Sequence, residues 1–315
     1  MVWGGRRLAT LLRKTLPPEG TFGEAWEVSD HPLHRSRIAT GPRRGETLRG
    51  LMESDRVALV GGKAAVYEQF PWLVKFLDIN DWLSVQVHPD VRAVQRLRPG
   101  EGSKTEAWFV LGADPESRVY AGLRPGIDEA RLRAALKDGT VADCLHSFVP
   151  HAGDCVFLPA GTVHAAGGGV LIAEVQQTSD VTFRLFDWNR VDAQGQARTL
   201  HIEEALASTH WNQGPVDPIR VPAFAEPEAT AAALRQPLVR CPYFVLEYVQ
   251  SREPLRFGGD GRLQVLIAVR GTGRWQSPLG EEPLRLGQAW LLPASLPRLV
   301  CQPEPFLGAL LCTLP

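Results

Sequence analysis

Four side chains with metal-binding atoms stand in short apolar runs: Gln86, His88, Glu106 and His164. The first two belong to Leu83-Ser84-Val85-Gln86-Val87-His88-Pro89-Asp90 and the third to Lys104-Thr105-Glu106-Ala107-Trp108-Phe109-Val110. The fourth ends Leu158-Pro159-Ala160-Gly161-Thr162-Val163-His164. Residues two apart on a strand face one side, so Gln86 and His88 point together. An amide oxygen, two imidazoles and a carboxylate make an N/O donor set suited to a divalent metal. A single histidine on a strand is usually structural, and His31, His34, His146, His151, His201 and His210 take that reading. His88 and His164 depart from it because of their companions.

The elements that must carry these donors are short and β-rich. Strands are expected over 23–28, 73–78, 83–88, 106–111, 117–121, 155–158, 170–176 and 181–186, with turn clusters between them, as in an antiparallel sandwich or barrel. Helical patterns interrupt at 128–137, where Ile127, Leu132 and Leu136 form a stripe, at 201–207, and briefly around 91–97. Strand–helix alternation is irregular and no GxGxxG follows a strand, which disfavours a dinucleotide-binding fold. Residues 1–215 read as a metal-binding catalytic domain. A Pro-, Ala- and acid-rich stretch, 216–236, reads as a linker with one short helix, and 237–315 as a second β domain. In that domain strands are expected over 243–249, 263–269, 274–276, 289–292 and 306–311.

The two domains share one echo. Gly153-Asp154-Cys155-Val156-Phe157-Leu158-Pro159 resembles Gly287-Gln288-Ala289-Trp290-Leu291-Leu292-Pro293, and in this register His164 falls opposite Arg298. All eight histidines precede the linker, so a histidine-based metal site has to lie in the first unit.

Composition narrows the rest. The chain has 315 residues and 44% hydrophobic content, enough for one large or two medium cores. A net charge of -1 gives no bulk field toward nucleic acid or membrane, and no apolar run approaches a membrane span. Five cysteines, an odd count without a CxxC pair, read as buried reduced thiols of a cytoplasmic protein. The basic start, Trp3 to Lys14, reads as a short first helix stopped before Pro17-Pro18, in preference to a transit peptide.

Gly153 to His164 matches the second cupin motif: glycine, five residues, Pro-x-Gly, two residues, histidine. The first cupin motif usually carries His-x-His with a glutamate soon after. Here Gln86 replaces the first histidine and Glu106 comes later. With Trp3-Gly4-Gly5, Gly23 to Ser29, Phe70 to Asp90, Lys104 to Trp108 and Leu158 to Arg190, the chain resembles the type I phosphomannose isomerases in their shorter bacterial form. The likeness is close over the first two thirds. Longer members carry an inserted helical domain that this chain has no room for, and a histidine where Ser103 stands.

The resemblance implies a mainly β fold of two cupin-like jelly-roll units with a few short helices, the first unit catalytic. It implies one Zn2+ per chain, held by Gln86, His88, Glu106 and His164, and a catalytic arginine at Arg184. It also implies pocket lysines at Lys75 and Lys104 and acidic positions at Glu174 and Asp180. The activity implied is zinc-dependent interconversion of mannose 6-phosphate and fructose 6-phosphate through a cis-enediolate. Arg184 suits a bidentate contact to an enediolate or a phosphate. A lysine beside Zn2+ and a second cation has a depressed pKa and could act as a base near neutrality. Lys104, Glu174 and metal-bound water all stand as bases at this point. The phosphate is expected on Arg and Lys side chains and on Ser84.

Other readings bear on single residues. Glu174 fits a solvent-facing slot on an alternating strand, and Asp180 fits a residue that shapes a turn. Trp26, Glu27 and His31 fit either a pocket mouth or ordinary packing. For the whole chain, an Fe(II)-dependent cupin oxygenase uses a similar donor set. A non-catalytic sugar-phosphate-binding cupin is the other alternative.

Overall fold

Alternation along the strands sets two antiparallel sheets in the first part of the chain. The computed structural model describes residues 1–191, 194–225, 233–277 and 280–315. In one sheet Val170–Gln177, Glu106–Ala113, Asp154–Leu158 and Ile219–Arg220 follow one another as neighbours. The other sheet runs Phe183–Phe186, Val85–Val87, His164–Gly167, Arg118–Leu123 and Leu145–Phe148. Trp108, Val110, Val156 and Ile172 from the first sheet share one apolar core with Val119, Ala121 and Ala166 from the second. The sheets therefore pack face to face, as in a cupin.

Chain contacts define two units. Unit 1 comprises Met1–Ala9, Thr15–Glu24 and Leu77–Arg220; unit 2 comprises Thr10–Lys14, Ala25–Phe76 and Val221–Pro315. Sequence order hides the grouping of 25–76 with the C-terminal strands. The stretch 216–236 contributes the Ile219–Arg220 strand to the first sheet and the short helix Pro222–Ala225. Its last residues begin strand Leu234–Arg240, and 226–232 lies outside the described residues. Pro237 is tolerated in that strand because it lies on a sheet edge at a register shift.

In unit 2 the main sheet runs Leu234–Arg240, Val245–Ser251, Leu299–Thr313, Gln264–Ser277 and Gly280–Arg285. The runs 263–269 and 274–276 join in the single strand Gln264–Ser277. Register shifts at Ala268/Arg270 and Gly271/Gly273 break its alternation, which is why the sequence reads as two pieces. The helix expected over 128–137 is Glu129–Asp138. Asp128 closes its start by accepting from the Arg131 N–H, and Gly139 ends it in the left-handed region. The first helix is shorter than its sequence pattern, Arg7–Thr10. Among the described residues, no helix is long and apolar enough to cross a membrane. The five cysteines are free thiols.

Candidate metal centre

The donors sit on or beside the ends of short strands, and both sheets of unit 1 contribute. Gln86 is the central residue of Val85–Val87, with His88 just beyond it. His164 opens His164–Gly167 and is the direct antiparallel partner of Gln86. Glu106 opens Glu106–Ala113 in the facing sheet. The Pro-x-Gly turn holds these ends together. The Gly161 N–H donates to the His88 carbonyl at 2.8 Å and the His210 N–H donates to the Gly161 carbonyl at 2.9 Å. Gly161 has φ +88°, and a Cβ there would meet the His210 ring at 2.4 Å, so glycine is required.

His88, Glu106 and His164 bring one ligand atom each within 4.8 Å of one another. All three are buried, at 2%, 0% and 1% exposure. Each imidazole has its tautomer fixed by a backbone carbonyl. His88 Nδ1–H donates to Val181 O at 2.9 Å and His164 Nδ1–H donates to Thr162 O at 2.8 Å. Both Nε2 atoms are then bare lone pairs. They face the Glu106 carboxylate at 3.4 Å and 3.3 Å, three acceptors with no proton to share. Among the described residues, His88 Nε2 and both Glu106 oxygens lack an aligned hydrogen bond. Such an arrangement calls for a cation, and the donor set fits a divalent metal. Gln86 places its amide 3.2 Å from His164 Nε2. Turning that amide over exchanges nitrogen for oxygen and completes the set.

Burial, with the Lys104 ammonium beside it, pushes the His88 imidazole down to about 4, below its ordinary 6.5. Burial works to raise the Glu106 pKa, but Lys104 and His88 outweigh it and hold the carboxyl well below the carboxylate range. The His88 shift has a stability consequence. Between pH 6.5 and 4 the unfolded chain binds a proton at His88 that the fold refuses, so stability falls as pH falls. Chelated protein is expected to lose about 3 kcal/mol at this residue across that window. Thermal melts of chelated wild type and His88→Gln check it: the variant should show a visibly shallower fall in Tm from pH 7 to 4.5, and equal slopes would contradict it.

Lys104 Nζ lies 3.0 Å from Glu106 Oε2 and 3.9 Å from Glu174 Oε1. Burial alone would lower this ammonium. Glu106, Glu174 and Asp180 outweigh burial and raise its pKa above that of an ordinary lysine. With no metal beside it, this cage of carboxylates keeps the lysine charged. Glu174 does not take the solvent-facing slot. It is 3% exposed, paired in register with Trp108, and accepts the indole N–H at 3.0 Å. The Trp108 ring also stands edge-on to His164, with centroids 5.3 Å apart.

Arg184 is the antiparallel partner of Gln86 on the other side, so the two side chains leave the sheet on one face. Its Nη1 donates to Thr199 O at 2.8 Å, while its buried Nε has no hydrogen-bond partner among the described residues. Burial, with Arg198 and Arg190 nearby, lowers its pKa from the usual arginine value. Ser84 is buried two residues before Gln86. Lys75 belongs to unit 2, where its buried ammonium lies 4.4 Å from the Trp26 ring centroid. In the same unit Glu27 pairs with Lys14 at 2.6 Å and lines, with Trp26, a cavity of about 460 Å3. His31 packs edge-on against Trp26.

Sequence reasoning gave no role to Trp108, although its run was in view, nor to the carbonyls of Thr162 and Val181. Trp108 carries a detectable signal, since a buried indole N–H demands an acceptor on a neighbouring strand. The carbonyls carry none.

Two facing antiparallel sheets around a buried His/Glu/His set define a mainly β, cupin-type protein with a candidate metal centre. A family model for phosphomannose isomerase type I, catalytic domain, matches residues 1–108. The mannose-6-phosphate isomerase of Streptococcus mutans is 35% identical over 94% of this chain and 90% of its own length. The mannose-6-phosphate isomerase ManA of Bacillus subtilis is 31% identical over the same shares, 94% and 90%. The crystal structure of the mannose 6-phosphate isomerase from Bacillus subtilis superposes with a TM-score of 0.84 at 25% identity, covering 99% of this chain and 96% of that one. The chain belongs to the type I phosphomannose isomerases, and is an isomerase.

Proposed function

We propose that this enzyme interconverts mannose 6-phosphate and fructose 6-phosphate through a cis-enediolate, with one zinc ion per chain held by Gln86, His88, Glu106 and His164. The observation that carries the metal is the pair of bare Nε2 atoms facing a buried carboxylate. The activity is supported by the relatives' shared name and their coverage of this chain. Bound zinc supplies Lewis-acid polarisation of the sugar carbonyl and stabilises charge on O1 and O2.

The chain's own groups divide the remaining work. Glu174, buried and oriented by the Trp108 indole, takes the carbon-bound proton and returns it at the neighbouring carbon. Lys104 stays an ammonium among its carboxylates and donates to an enediolate oxygen. Arg184, anchored on Thr199 O, offers its remaining N–H groups to the enediolate or the phosphate. Ser84 and Asp180 bind the sugar phosphate. The assignment of Lys75 to substrate binding rests on the family resemblance alone. The protein works in the cytoplasm in this reading, on a soluble sugar phosphate.

A coupled assay on mannose 6-phosphate, before and after chelation, tests the proposal. Turnover should vanish on chelation and return with stoichiometric zinc. Full turnover in protein shown to be metal-free would end the metal reading. Oxygen uptake on restoring iron would turn the assignment to an oxygenase, and sugar-phosphate binding without turnover to a non-catalytic cupin.

A further inference from the structure

Unit 2 carries a groove of about 560 Å3 that the isomerase reading leaves unused. Five arginines line it: Arg235, Arg240, Arg256, Arg262 and Arg298. Two carboxylate side chains share the lining, Glu247 and Asp260, and both are already paired. Arg235 lies 3.7 Å from Glu247 and Arg262 lies 2.8 Å from Asp260. Pro315, on the wall, accepts the Lys63 ammonium at its oxygen. Arg240, Arg256 and Arg298 have no carboxylate partner among the described residues. The groove therefore keeps a strong excess of positive charge, although the chain as a whole is at -1.

Strand register gives the spacing of these charges. Arg240 is the partner of Val245, Val245 of Thr313, and Thr313 of Gln264. Three interstrand steps put the Arg240 and Gln264 backbones roughly 14 Å apart. Arg262 stands two residues before that strand, so Arg240 and Arg262 approach the groove from separate segments of the chain. Gly259 in the adjoining turn has φ +73°, and a Cβ there would lie 2.9 Å from the Arg298 backbone, so the turn is fitted closely against that residue. In the sequence echo between the two units, Arg298 falls opposite His164.

The guanidinium groups of Arg240, Arg256 and Arg298, on three separate segments and without carboxylate partners among the described residues, match a ligand with more than one negative group. A chain of linked phosphates can meet arginines from several segments of the lining at once. We propose that this groove binds a small molecule carrying two or more linked phosphates, independently of the metal centre.

Calorimetry on the zinc-loaded full chain at about 0.15 M salt, with inorganic triphosphate, ADP and mannose 6-phosphate as probes, tests it. Triphosphate or ADP should bind saturably, and saturating mannose 6-phosphate should leave that binding in place. The double variant Arg240→Ala/Arg298→Ala should weaken it at least about tenfold and leave isomerase turnover unchanged. Arg240→Lys/Arg298→Lys should retain part of it, which guards against a misfolded alanine variant. Binding should also survive in His164→Ala, since oligophosphates chelate zinc. Absence of saturable binding by triphosphate and ADP, equal affinity in the alanine variant, or loss of binding in His164→Ala would each overturn the proposal. The last outcome would place the anion at the metal and leave the isomerase assignment untouched.

Discussion

His164→Ala should lose metal and turnover together. His164 supplies one of two bare Nε2 atoms, and its tautomer is fixed by Thr162 O at 2.8 Å. Without that ring, His88 and Glu106 remain with only the Gln86 amide, a weaker donor than an imidazole, so the set loses one of its two nitrogen ligands. In the proposed reaction the electrostatic stabilisation of the enediolate goes with the ion. Several kcal/mol of such stabilisation corresponds to about a 10³-fold fall in kcat/KM or more. Metal analysis of the purified variant and the coupled assay check both halves. Full zinc occupancy in His164→Ala would mean that the ion is held elsewhere. A Trp108 ring packed against the lost imidazole leaves a cavity, so a thermal melt of the chelated variant should accompany the assay to show that it still folds.

Arg184→Ala should give the opposite split: metal retained, chemistry lost. Arg184 stands beside Gln86 on the neighbouring strand, yet its hydrogen bonds run to Thr199 and to the His201 ring, not to the donor atoms. The first of these comes from the side chain and the second from the backbone N–H, which alanine keeps. Removing one preorganised cation from a developing oxyanion costs about 10² to 10³ in kcat. Zinc content should remain near one per chain. Turnover within twofold of wild type would take Arg184 out of the mechanism, and loss of zinc would make it a scaffold residue.

The two substitutions also show what the sequence makes visible. The donors are readable because strand alternation places Gln86 and His88 on one face and because Pro159 and Gly161 mark the turn before His164. The helix at Glu129–Asp138 is readable from its Asp128 and Gly139 ends. Glu174 is harder. Val170–Gln177 is buried on nearly every residue, so its pattern does not distinguish an inward face from an outward one. Its partner, the Trp108 indole, becomes apparent only when Glu174 and Trp108 are set in register. The carbonyls that fix both imidazoles have no side-chain signature at all. Nor does sequence order show 25–76 joining the C-terminal strands, because that grouping depends on contacts between distant segments.

The carbonyl of Val181 holds the His88 ring, and three residues later the same segment delivers Arg184. One short piece of backbone thus governs the aim of a metal ligand and the post of the arginine assigned to the sugar. Engineers who graft new sequence over 178–183 to broaden the range of accepted aldoses would disturb metal retention at the same stroke.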